Sequence, residues 1–449
     1  MIKNKFDFFK ILIFFVILIS YFTGFFLREN AAGGGEEFYQ LSWPIIQSFK
    51  ENFLTTLKNY AKFKDYQIPF LHILNASINP FTNNIYEFQL FNTIASFFIF
   101  LVFFLVLKNK FINLKTVDVF MTSSIFLILP LFRTSAFWGK NENYGWLFFI
   151  LALYFFSKVK KDVLKDEKNP NLSNILFFCF TSACALYARQ ALIFLPISYF
   201  LYLFFNNANK KIIITSSIAF FILAIPTVML ILFWGNTHGL TSSSHLNNFF
   251  SWWIHPRNLL KNVPILLSHF AFYLAPILIL EFFYKGHKIF IKEYFKSFAY
   301  IFIFFIILTQ FGFLDYLGQY DRAGGAILKV NYLIQKNNFL LLLLFSSIGF
   351  SVLFRFIKED KKNNLTFLIP LLLFYCFPNL LYQEYVEPLI LIIFFLVLKT
   401  ELHKTYLKNI SLSNFVLISY YSVFLIGSIY FKHIAYDSWE KWKIYLNIY

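Results

Sequence analysis

Three places along the chain set charged groups into an otherwise apolar sequence. The first is Gly33-Gly34-Gly35-Glu36-Glu37-Phe38-Tyr39-Gln40. Its glycines let the backbone turn tightly, and two adjacent carboxylates follow. Such a pair offers a general base, or a ligand for a cation or a sugar; a solvated loop is the alternative use. The second is Lys140-Asn141-Glu142-Asn143-Tyr144, where Glu142 is the single carboxylate. It offers the same chemistry, or an interfacial loop charge. The third is Tyr187-Ala188-Arg189-Gln190, with an arginine between two apolar runs. A guanidinium there either snorkels to lipid headgroups or grips a phosphate with its planar fork.

Weaker candidates for sugar or phosphate contacts are Asp65 before Tyr66-Gln67-Ile68-Pro69, and Arg257 after His255-Pro256. Arg322 in Asp321-Arg322-Ala323-Gly324-Gly325 and Glu384, which with Glu387 brackets Tyr385, complete them. His238, His245 and His255 share one segment without a zinc spacing. Cys179, Cys184 and Cys376 lie inside apolar runs with neither metal spacing nor a disulfide framework. No metal and no cofactor are expected. The sequence has no P-loop, no HExxH, no GxSxG and no GxGxxG in a strand–helix setting, so nucleotide-driven chemistry has no support.

The elements that position these groups must be membrane helices. Of 449 residues, 58% are hydrophobic and 14% charged, and the mean hydropathy is +0.60. A soluble domain is about a quarter charged, so this chain cannot cover itself with a water-soluble surface. The 67 Phe, with abundant Ile, Lys and Asn, suggest an AT-rich genome and a bacterial inner membrane. A formal charge of +17 is explained by basic cytoplasmic loops, and no nucleic-acid partner is expected.

A span needs about 20 apolar residues, which gives about thirteen candidates: roughly 8–27, 88–107, 117–137, 144–158, 173–188, 190–206, 212–234, 262–283, 298–316, 337–356, 365–382, 386–400 and 412–431. The expectation is therefore an all-α, polytopic, single multi-pass domain over 1–449. The run at 8–27 follows Lys3 and Lys5 and reads as a retained first helix. The competing reading is a secretory signal with Ala31-Ala32-Gly33 as its cleavage site. Lysines then alternate between loops. Lys108, Lys158, Lys210, Lys288, Lys361 and Lys404 fall on one side, which places the N-terminus inside and the C-terminus outside. The acidic motifs fall on the outer face. The longest outer loop is 28–86, and the outer tail 432–449, with Trp439 and Trp442, is expected to form an interfacial helix.

The order of these features resembles the GT-C class of membrane glycosyltransferases. Within it, the nearest family is the dolichyl-phosphate-glucose-dependent α-glucosyltransferases. Glu36-Glu37-Phe38 stands where that family has an acidic pair and an aromatic after helix one. Asp65-Tyr66-Gln67-Ile68-Pro69 with Leu71-His72-Ile73-Leu74 is similar to its proline-containing segment before helix two. Glu142 matches the acid of its next short outer loop, and Arg189-Gln190 its later Arg-Gln. The resemblance is strongest over roughly the first 200 residues and only architectural afterwards. It departs in having Glu36 where the family has Asp, and Glu384-Tyr385 near the place of a late Arg-Tyr before proline.

The resemblance implies transfer of a sugar from a polyprenyl-phosphate donor to a glycan, glycolipid or protein acceptor on the outer face. Glu36 by preference, with Glu37 and Glu142, would supply the catalytic carboxylates. Arg189 and Gln190 would bind the donor phosphate, with membrane lipids the other partners. Besides a structural membrane subunit without activity, two other readings stay open. One is a polysaccharide polymerase or ligase, although in those the large loop comes late in the chain. The other is a lipid-linked-sugar transporter or flippase, which would place polar groups and broken helices at mid-membrane.

Overall fold

In hydrocarbon every peptide group must be bonded within its own segment, so long apolar runs become helices. The computed structural model describes residues 2–33, 35, 37–63, 68–164, 170–236, 256–309, 325–335, 339–377 and 381–430, and among these it contains no strand. Among the described residues six helices are long and apolar enough to cross a bilayer: Asp7–Phe26, Ile85–Lys110, Lys210–Trp234, Lys261–Lys285, Leu340–Glu359 and Ile410–Ile429. A pair broken at Leu129 would make a seventh. Over the described residues the chain is all-helical, with the long apolar helices of a membrane protein.

The chain divides into two compact units: Met1–Asn113 with Phe132–Trp253, and Leu114–Leu131 with Ile254–Tyr449. In the first unit α1 (Ile2–Phe26) leads into a long connection. That connection holds a turn of π-helix (Phe38–Ser42), α2 (Trp43–Glu51), α3 (Phe53–Lys58) and α4 (Phe70–Ile78). The segment expected as one long loop is therefore largely helical. It carries its own apolar packing, in which Ile45, Phe49, Leu57 and Tyr60 bury against Trp234.

The expected span 117–137 is two helices. Between Thr116 and Ile128 the chain is first α-helical and then 3-10, and after Leu129 it restarts as Pro130–Trp138.

 In order, α5 (Ile85–Lys110) is followed by α6 (Thr116–Ser123), the 3-10 turn Ser124–Ile128, and α7 (Pro130–Trp138). The break has a local cause. Pro130 has no N–H for an i−4 bond, and its ring pushes the preceding residue out of the helical region. Leu129 accordingly sits extended at ψ 123°.

The first unit continues with α8 (Glu142–Leu164), α9 (Leu172–Ala188), α10 (Phe194–Phe205) and α11 (Lys210–Asn236). Asn171 caps α9 by accepting from the Ser173 and Asn174 amides. A buried ion pair fixes α1 to α7. Arg133 reaches both carboxylate oxygens of Glu29, at 2.7 and 2.5 Å, and donates to the Ser20 carbonyl at 2.8 Å. The Trp138 indole N–H donates to the Glu29 carbonyl at 2.9 Å. Glu29, just past the first apolar run, thus belongs to the packing of the unit.

The second unit contains α6, then α12 (Pro256–Lys285), α13 (His287–Thr309), α14 (Gly325–Gln335), α15 (Leu340–Glu359), α16 (Lys361–Cys376), α17 (Glu387–Leu396), α18 (Glu401–Lys408) and α19 (Ile410–Ile429). Helices α12 and α15 pack backbone to backbone at Gly349, where a Cβ would overlap the Leu267 carbonyl. Small residues permit such close approach in membrane helices, where lipid supplies no hydrophobic drive between them. The expected outer tail 432–449 lies outside the described residues.

Candidate functional site

The first unit gathers charge at one turn. Helix α7 ends at Trp138, Gly139 turns the chain at φ +78°, and α8 begins at Glu142. A side chain at Gly139 would be strained by that φ and would press on the Phe88 ring. The Lys140 amide returns to the Ser135 carbonyl at 3.0 Å, which closes the turn. Lys140 and Glu142 are thereby held side by side at the start of α8.

Glu142 accepts a hydrogen bond from the Ser135 hydroxyl at 2.7 Å. Lys140, only 7% exposed, lies 3.8 Å from Glu142 and 3.2 Å from Glu37. Glu37 itself is exposed. Burial alone would push the Glu142 carboxyl up. Lys140, Arg189 and the Ser135 hydroxyl outweigh it and hold the group below its ordinary 4.5. Glu142 precedes the apolar run of α8, so this charge sits at the helix end.

Arg189 comes to the same place from another element. Helix α9 stops at Ala188, and Arg189 is extended (φ −145°, ψ 105°) before the 3-10 turn Gln190–Ile193. Its guanidinium lies over the Trp146 ring, 4.6 Å from the centroid. Its stem crosses Gly145 so closely that a Cβ there would stand 2.6 Å from Arg189 Cγ. Gly145 is thus the contact that lets Arg189 lie flat along α8. Gln190 is half-buried beside it in sequence.

A second polar layer ties the long connection to this turn. Asn141 meets His72 Nδ1 at 3.4 Å and accepts from Asn75 at 3.5 Å. His72 and Asn75 are buried on α4. Asn143 donates to Ser96 at 2.9 Å and to the Phe132 carbonyl at 3.0 Å. Sequence reasoning quoted His72 and Lys140 only as neighbours of other residues. Their role shows once the turn and α4 are folded together. The signal available was the density of Asn and His beside the acidic motif.

Of the expected site residues, the structure brings together Glu37, Glu142 and Arg189 through Lys140 and Trp146. Glu36, Asp65 and Arg322 lie outside the described residues. Arg257 falls in α12 and Glu384 in the 3-10 turn Gln383–Tyr385, both in the second unit; only their backbones are described.

The second unit buries Glu387, named in the sequence beside Glu384 as a weaker candidate, and Glu281, which the sequence did not single out. Glu387 is fully buried and accepts from the Tyr273 hydroxyl at 2.9 Å and the Leu131 amide at 2.7 Å. Glu281, also fully buried, meets Arg355 at 2.7 Å and Lys285 at 2.9 Å, and accepts from the Tyr294 hydroxyl at 2.6 Å. Among the described residues no group of three or more His, Cys, Asp or Glu is placed to hold a metal ion. No family model, curated protein or solved structure matches the chain.

Proposed function

We propose that the chain is a GT-C-like glycosyltransferase with about thirteen spans, using a polyprenyl-phosphate sugar as donor and a glycan, glycolipid or protein as acceptor at the outer face. The observation that carries this reading is the joining of Glu142, Lys140 and Arg189 at one helix end, with Arg189 laid flat on Trp146. A transferase of this kind needs a cation for the phosphate that leaves and a carboxylate for the acceptor hydroxyl. The donor is already activated by its phosphate link, so no nucleotide site is required.

In the proposed reaction the acceptor oxygen attacks the anomeric carbon as the bond from that carbon to the phosphate oxygen breaks. The acceptor proton passes to a carboxylate, Glu36 by preference. Arg189 and Lys140 stabilise the negative charge that grows on the departing phosphate. Glu142, held below the ordinary carboxylate range, is a weak base and suits orienting the acceptor. An anionic phosphate beside Arg189 would counter that cation, raise Glu142 and bring it toward a shared base role.

The test uses purified full-length protein supplied with a set of polyprenyl-phosphate sugars, following release of free polyprenyl phosphate. Glu36→Gln is expected to cost about 10²–10⁴-fold, and Arg189→Ala about 10²–10³-fold. Absence of release with every donor, from protein shown to be folded, would overturn the reading in favour of a transporter.

A further inference from the structure

The second unit holds a cavity of about 620 Å³ between α12, α13 and α15. That is within the range of ordinary ligand sites, about 300–1,000 Å³. Its walls include Ala275, Ile279, Phe283, Ile291, Phe295 and Ile348. The hydroxyls on its lining are already bonded: Tyr294 to Glu281 at 2.6 Å, and Ser351 to the Ser347 carbonyl at 2.8 Å. The cavity therefore asks nothing polar of its occupant. It opens sideways, since Phe283 is 73% exposed and Phe295 60%. Two of its walls are membrane-crossing helices, Lys261–Lys285 and Leu340–Glu359, so the opening faces hydrocarbon.

The charge at one end of this groove is distinctive. Lys285 is held by Glu281 and Glu293, each at 2.9 Å. Lys288 and Lys292, one helical turn apart on α13, are both exposed. They flank the face that carries Ile291 and Phe295 into the groove. The start of α13 adds the partial positive charge of a helix N-terminus. The groove occupies the half of α12 away from Pro256, at the end where basic residues collect.

We propose that this groove binds one anionic glycerophospholipid from the leaflet facing the basic loops, with an acyl chain in the groove and the phosphate against Lys288 and Lys292. An apolar slot open to the bilayer selects a hydrocarbon chain. Two exposed lysines at its end select a negative headgroup, each contributing about 1 kcal/mol near a membrane surface. The site lies within the second unit and stands independently of the transferase reading.

The test is native mass spectrometry of the full-length protein released from mild detergent, titrated with phosphatidylglycerol or phosphatidylcholine. One tightly retained phosphatidylglycerol per chain is expected. Lys288→Gln with Lys292→Gln should weaken it by about 30-fold. Lys361→Gln with Lys362→Gln, exposed basic residues on α16, should leave it unchanged. Ala275→Phe should abolish retention by filling the groove; if that variant fails to fold, the lysine pair and the lipid comparison still decide. Equal retention of phosphatidylcholine, or unchanged retention in the lysine variant, would overturn the proposal. So would displacement by polyprenyl phosphate, which would make the groove a donor-chain site.

Discussion

The two units each bury a cluster of acids and bases, and the clusters differ in how tightly they close. In the second unit Glu281 is met by Arg355, Lys285 and Tyr294, and Arg355 also reaches Glu359 at 2.7 Å and Glu293 at 3.2 Å. These contacts lie at the ends of α12, α13 and α15 and lock the three helices together. In the first unit Lys140 stands 3.2 and 3.8 Å from its carboxylates, one of them exposed. Short closed contacts use up the charge of a buried group. Longer contacts at a helix end leave geometry that an incoming ligand can rearrange. The difference teaches that burial alone does not mark a site: the more deeply buried cluster is the better candidate for a clamp.

The largest expected effect tests the clamp. Arg355→Ala leaves Glu281 buried without its guanidinium and should cost about 3–5 kcal/mol of stability. A large fall in the thermal midpoint in detergent checks this. An unchanged midpoint would show that the cluster is no clamp and would put it on the same footing as the Glu142 turn.

A smaller effect is expected at Gly145. Gly145→Ala brings a Cβ into the Arg189 stem, an overpacked contact that the side chain can relieve by moving. Because the stem is flexible, the expected result is a displaced guanidinium in a folded protein. Release of polyprenyl phosphate should fall while the thermal midpoint changes little. Equal losses in both would mean that Gly145 serves packing only. Trp146→Leu should be milder still, removing a cation–π contact of about 0.5–2 kcal/mol. It should weaken use of the phosphate-linked donor without unfolding the chain.

Much of the scaffold was legible because bilayer physics is strict. The apolar runs at 88–107, 212–234 and 262–283 fall within helices of the described structure, and most of 8–27 and 412–431 does. The break at Leu129-Pro130 was legible in principle, since Pro130 stands inside the run, but hydropathy counting passes over a single proline. The helices α2 to α4 were not legible as a packed layer. Their hydrophobic partner Trp234 is distant in sequence, and periodicity reports a face without naming what covers it. The candidate site was legible as separate motifs. What joined Glu142 to Arg189 was the small size of Gly145 and the ring of Trp146, and neither residue carries a charge to draw notice. Glu281 and Arg355 were hidden for the opposite reason, since charges near helix ends resemble ordinary loop residues until the helices are packed.

The smallest expected effect is a pH dependence, and it sharpens the contrast between a closed and an open cluster. Burial raises the Glu142 carboxyl, but Lys140, Arg189 and Ser135 together hold it below its ordinary 4.5. A carboxylate depressed by folding adds stability that is present above its unfolded value and lost as pH falls through its folded value. The thermal midpoint should therefore hold steady from neutral pH down to the usual carboxylate range and fall below it. Glu142→Gln should flatten the part of that fall which Glu142 contributes. With an anionic donor beside Arg189, the carboxyl rises, so the acid limb of activity should sit at higher pH than the acid limb of stability. Coincident limbs would mean that the donor phosphate does not approach Arg189, and that the cluster at the start of α8 is as closed as the one in the second unit.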